Sequence, residues 1–164
     1  VLNKGEGLAT KTLSELIKSR NISAIDFEFE RAIKYIESSP REAVSAACNI
    51  LESVFKIYIE EHDHLTQPAK QDLQAVWKIV KTDLGLDASV LEERDLQEIV
   101  SGIMATVNGI GALRTHASSA HGAGKRQYNL RPRHARLAIH AAHTIAAFVL
   151  ETWDEKSGRS QPIR

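Results

Sequence analysis

Apolar positions in this chain recur at intervals of three and four, and no stretch sustains an alternation of period two, so the pattern predicts helices nearly throughout. A short amphipathic helix is expected over 12–19. A second is expected over 23–37, with Phe27, Ile33 and Ile36 among its apolar positions. Pro40 suits the first turn of a third helix with Ser39 as its N-cap, since proline lacks an N–H that would go unpaired there. That helix should run to about Glu61 and bury Val44, Ala47, Leu51, Val54 and Tyr58, opposite a stripe of Ser45, Asn49, Glu52 and Lys56. Pro68 is expected to open a fourth helix ending near Gly85. A fifth begins around Glu92 and runs toward His121, where Gly122 is a natural stop. The stretch 122–131 reads as a loop, and Pro132 starts a last helix through about Trp153. The expected fold class is all-α, a bundle of about five to six helices.

Composition narrows the class. Aromatic residues make up 5% of the 164 residues, too few for the stacking platforms of sequence-tolerant single-strand binders. Cys48 is the single cysteine, which excludes an internal disulfide and a multi-cysteine zinc site and fits a reducing cytoplasm. No apolar run is expected to span a membrane; the longest candidate, 137–150, contains His140 and His143. No signal peptide is read, and the opening Val1-Leu2, without methionine, leaves room for an upstream domain.

A formal net charge of zero hides a strong asymmetry. Residues 1–98 carry 12 basic and 18 acidic side chains, and residues 99–164 carry 9 and 3. No Asp or Glu lies between Ile99 and Leu150, a window holding Arg114, Lys125, Arg126, Arg131, Arg133, Arg136 and five of the seven histidines. Such a window fits an anionic partner, or attraction to the acidic half of the chain.

On a helical wheel with Ile99 at zero, Ile103, Val107 and Ile110 fall within about 80°. Arg114 falls at about 60° and His121 at about 40°, prolonging the apolar stripe, with Ser118 at its border. A guanidinium on such a face needs a carboxylate, a phosphate or carbonyl oxygens. Arginine presents planar donors suited to phosphate, and histidine exchanges a proton near neutrality. The competing account is structural: Arg114 pairs with Glu52 or another acid, His121 bonds the helix end, and 125–136 is a solvated basic loop. His134 lies on the apolar face near the start of the last helix, where a capping or core role competes with a supporting one.

His140 and His143 stand at i, i+3, and His62-Asp63-His64 forms a second cluster, but neither has the ligand spacing of a zinc site. No metal and no cofactor are expected. Gly102, Gly109 and Gly111 in the fifth helix, and Ala135, Ala138, Ala141, Ala142, Ala146 and Ala147 in the last, would allow close helix approach within the chain or between two chains.

Three blocks of sequence resemble one known family. They are Pro40-Arg-Glu-Ala-Val-Ser-Ala-Ala-Cys-Asn-Ile-Leu-Glu-Ser-Val-Phe-Lys56, Gly111-Ala-Leu-Arg114 through Ala120-His121-Gly122, and His134-Ala-Arg-Leu-Ala138 through Trp153. In this order they resemble the abortive infection C-terminal domain family, a branch of the HEPN superfamily. The resemblance implies a HEPN-like helical domain over 39–154, preceded by a helical extension over 1–38 and followed by a disordered tail over 155–164. Many HEPN members are metal-independent ribonucleases of phage-defence and toxin–antitoxin systems that pair two Arg-x4–6-His motifs across a homodimer. On that likeness Arg114 and His121 would be catalytic, and Glu52 and Lys56 would support them. The family commonly has Asn after the arginine and Asp before Ala-His-Gly, where this chain has Thr115 and Ser119.

Three functions follow as expectations. One is a cytoplasmic endoribonuclease in which Arg114 and His121 act with Ser118, Thr115 and His134 nearby, and Lys125, Arg126, Arg131 and Arg133 hold RNA. The others are a non-catalytic dimerisation or sensing module, answering to an antitoxin or an upstream domain, and a nucleotide-binding regulatory domain.

Overall fold

Helix Pro40–Glu60 (here α2) is apolar around most of its circumference and can satisfy that only by being enclosed. It buries Val44, Ala47, Leu51, Val54 and Tyr58 completely, and Ala43, Ala46, Ile50 and Phe55 as well. The protein is described by a computed structural model covering residues 15–17, 20, 22–118 and 129–158. Four further helices surround α2: α1 (Ser23–Tyr35), α3 (Leu73–Asp83), α4 (Arg94–Ser118) and α5 (Pro132–Lys156), with a 3₁₀ turn at Ala88–Val90. No strand occurs among the described residues, and the all-α bundle stands.

The elements depart from expectation in instructive ways. The inward face of α1 is Ile25, Phe29 and Ala32, continued by Ile36, whereas Phe27 and Ile33 are 66% and 56% exposed. The inward positions are spaced four, three and four apart, and the two misassigned residues lie off that stripe. Pro68 does not open a helix. Asp72 caps α3 instead, its Oδ1 accepting from the Ala75 N–H at 2.9 Å, which leaves 61–72 as a loop. Ser39 does occupy the N-cap of α2, but its side chain makes no capping bond. Gly85, at φ +71°, reverses the chain after α3. Helix α5 runs on to Lys156, two residues into the expected tail; 159–164 and most of 12–19 lie outside the described residues.

The two small-residue sets behave differently. Ala135, Ala142 and Ala146 are fully buried, so they let α5 lie close on α2. A Cβ on Gly102 or Gly109 would meet nothing within 4 Å, and on Gly111 would touch only Leu73 at 3.6 Å. Helix α4 is thus thinly packed: Val100, Val107 and Ile110 turn inward, while Ile99 and Leu96 are 60% and 47% exposed. Arg94–His116 is also long and apolar enough to cross a membrane, with a mean hydropathy of 1.2 over its most apolar window. That corrects the expectation that no run reaches such length. Glycine, alanine and threonine dilute the signal without supplying charge.

Polar cross-links tie the ends of the helices. Tyr58 donates to Asp83 at the end of α3, and its ring stacks on His62 and meets Trp153 of α5 edge-on at 5.0 Å. Lys156 donates to the Asp83 carbonyl, and the Arg20 guanidinium lies 4.6 Å over the Trp153 ring and pairs with Asp154.

His143 turns inward rather than joining His140 on the polar face. It packs edge-on against Phe29 at 5.2 Å, and its Nε2 is buried without a hydrogen-bond partner. Burial first, then the charge of His140, holds its pKa below the ordinary 6.5. The unfolded chain therefore binds a proton more readily than the folded one, and stability is complete above about pH 6.5 and falls as the pH drops through the folded value. Urea midpoints at about pH 7.5 and 5.5 should show a smaller acid-side loss in His143→Phe than in wild type. An equal loss in both would mean that His143 contributes nothing to it.

Candidate functional site

Arg114 projects from the last third of α4 toward α2. Its Nη1 donates to Glu52 Oε1 at 2.8 Å and to the Cys48 sulfur at 3.5 Å. Burial works against its charge, but hydrogen bonds and charges from Cys48 and Glu52 more than offset this and raise its pKa. Burial likewise pushes the Cys48 thiol up to about 11, so it stays protonated at neutral pH as part of the packing. Among the described residues Arg114 makes these bonds through Nη1 only. The guanidinium has five N–H donors, so an edge suited to bidentate contact with an oxyanion remains.

The arginine is not sealed in. Its side chain is 37% exposed, against 14% for Glu52, and it stands on the lip of a cleft of about 720 Å³. Gly111, Ala112, Thr115 and His116 form the α4 side of that cleft, and residues 70–74 face them. Thr115 bonds back to the Gly111 carbonyl at 3.0 Å.

The remaining sequence-predicted residues are spread around this point. Glu52 also borders a second cleft, of about 430 Å³, where Lys56 lies with Phe27, Glu28 and Asn49. Lys56 is thus one turn from Glu52 but outside the Arg114 cleft. His134 caps α5, its Nδ1 accepting from the Arg131 N–H at 3.1 Å, and lines a groove of about 560 Å³ between α4 and α5. Arg131 and Arg133 are exposed at the start of α5. Ser118 is the last residue of α4, and His121, Lys125 and Arg126 lie outside the described residues.

Neither His116 nor the 70–74 segment stood out in the sequence. His116 borders both the Arg114 cleft and the α4–α5 groove, though the wheel sets it about 160° from Arg114. Lys70, Gln71 and Gln74 read as ordinary helix in the sequence, following Pro68 as an expected helix start. Among the described residues no group of three His, Cys, Asp or Glu side chains could hold a metal ion. His62 bonds the Tyr58 carbonyl at 2.6 Å, and His64 pairs with Asp83 at 2.7 Å.

The model of the Abi_C family, a HEPN-like domain, matches residues 23–153, about four-fifths of the chain. The chain belongs to the Abi_C HEPN-like family. Its match begins with the first residue of α1, the helix laid along α2, and ends at Trp153 in α5. No curated protein and no solved structure matches the chain. Membership supports a role of the abortive-infection, phage-defence type in general terms.

The Arg114–Glu52 contact is measurable in its own right. In urea unfolding, Arg114→Ala, Glu52→Ala and the double variant should show a coupling of about 1 kcal/mol, as suits a partly exposed pair. Additive effects would leave the contact without energetic weight.

Proposed function

We propose that this HEPN-like domain is a metal-independent endoribonuclease acting as a homodimer. The observation that carries the reading is Arg114, in the family's motif, held by Glu52 through one nitrogen at the lip of an open cleft. The substrate is a single-stranded RNA segment whose scissile phosphate is bound by the remaining guanidinium edge. The 2′-oxygen attacks phosphorus and the bond to the 5′-oxygen breaks, leaving a 2′,3′-cyclic phosphate and a 5′-hydroxyl. His121 takes the 2′-hydroxyl proton or gives one to the leaving oxygen, and a dimer supplies two copies for the two transfers. Arg114 stabilises the charge that builds on the phosphorane-like transition state. Lys125, Arg126, Arg131 and Arg133 hold flanking phosphates, which makes binding sensitive to salt.

The dimer is supported by α4. Its exposed Ile99 and Leu96 and its uncovered Gly102 and Gly109 leave thinly covered surface that a second copy could approach closely. The acid-free window includes most of that helix, and the lone thiol of the chain, Cys48, suits a cytoplasmic protein.

Two observations favour a second reading. Glu52 satisfies Arg114 as a structural ion pair would, and the family's Asn and Asp are Thr115 and Ser119 here. On this view the domain is a non-catalytic dimerisation module governed by an antitoxin or an upstream domain.

RNA cleavage in EDTA separates the two. Wild type should cut, and His121→Ala and Arg114→Ala should each lose about a hundredfold or more in rate. Equal cleavage by wild type and His121→Ala, or no cleavage of varied RNAs, would falsify the nuclease. Light scattering tests the dimer: Ile99→Glu should yield a monomer that keeps its helical content, as Ile99 is 60% exposed and outside the core of the chain. A variant that stays dimeric places the interface elsewhere.

A further inference from the structure

The charges on the walls of the Arg114 cleft cancel in pairs. Arg114 meets Glu52 at 2.8 Å, and Lys70 meets Asp72 at 2.7 Å. A cleft so balanced holds its ligand less by net charge than by hydrogen bonds. On the wall opposite α4 the exposed amides of Gln71 and Gln74 offer them.

That wall is held in place. One oxygen of Asp72 caps α3 through Ala75 and the other takes Lys70, so the segment carrying both glutamines is pinned at its centre. Leu73, buried between them, lies 3.6 Å from where a Cβ on Gly111 would sit, so the wall contacts α4 one turn before Arg114. A primary amide presents donor and acceptor in one plane, which is the pattern that pairs with the edge of a nucleobase. The cleft, about 720 Å³, lies within the range of sites for small planar ligands.

We infer that Gln71 and Gln74 determine specificity by reading the edge of one unpaired base whose phosphate lies at Arg114. The inference rests on the RNA reading of this cleft but not on catalysis. Unpaired bases expose the edges that a duplex hides, so a single-stranded ligand is the form this wall can read.

Binding tests it with short fluorescent 2′-O-methyl oligonucleotides, which cannot be cleaved by 2′-hydroxyl attack: homopolymers of A, C and U, and an alternating G–U strand. By anisotropy in EDTA at fixed salt, wild type should prefer one of them by roughly tenfold. The double variant Gln71→Ala/Gln74→Ala should bring all four within about twofold, with an unchanged dependence on salt. Arg114→Ala should instead weaken all four alike and make the slope of log affinity against log salt shallower by about 0.7. Gln74→Glu, which keeps the acceptor and loses the donor, should shift preference toward A and C, whose exocyclic amines donate. Equal binding of the four strands by wild type, or a preference that survives the amide substitutions, overturns the inference. A preference abolished by them supports it even where no RNA is cut. Failure to bind any strand removes it together with the RNA reading.

Discussion

Enclosure of α2 is the constraint on which the bundle depends. A helix with Val44, Ala47, Leu51, Val54, Phe55 and Tyr58 wholly buried cannot leave any broad face in water, and α1, α3, α4 and α5 all pack against it. Burying those side chains contributes on the order of 1.5–3 kcal/mol for each larger one, before the cost of ordering the chain. The surrounding helices are then placed by what α2 offers them. Buried alanines let α5 in close, while α1 packs through Ile25, Phe29 and Ala32 and adds a polar link where Glu28 accepts from Asn49.

Glu52 sits where that apolar surface gives way to polar edge. Its side chain is only 14% exposed, and an unpaired carboxylate there would be costly. Arg114 of α4 supplies the partner. The same contact orients the guanidinium toward the cleft, so packing and site share one interaction. Because Nη1 alone is used, structural and functional accounts of Arg114 need not exclude each other: Glu52 can hold one edge while a phosphate takes the other.

Helix α4 shows the opposite economy. It turns few side chains inward and leaves apolar residues and two uncovered glycines facing out. Exposed surface of this kind is retained where another surface covers it. The same helix carries the α4 side of the Arg114 cleft, about four turns further along its axis from Ile99.

Much of this was legible in the chain. Helical periodicity, Pro40 and Pro132 as helix starts, and the buried set of α2 follow from local rules: a 3.6-residue repeat and proline's missing N–H act within a few residues. Arg114 stood out because a charge on an apolar stripe is conspicuous in one dimension. Glu52 is the acid the sequence offers it by name in the structural account, but whether that carboxylate comes within 2.8 Å depends on how α2 and α4 lie together. The inward turn of His143, the misassigned Phe27 and Ile33, and the glutamine wall opposite Arg114 were decided by tertiary structure alone. Each depends on the orientation of one element against another, a long-range relation that local periodicity does not encode. The sequence by itself determined most of the helical segments and that the basic window carries an arginine needing an anion; packing decided which anion meets it and what faces it across the cleft.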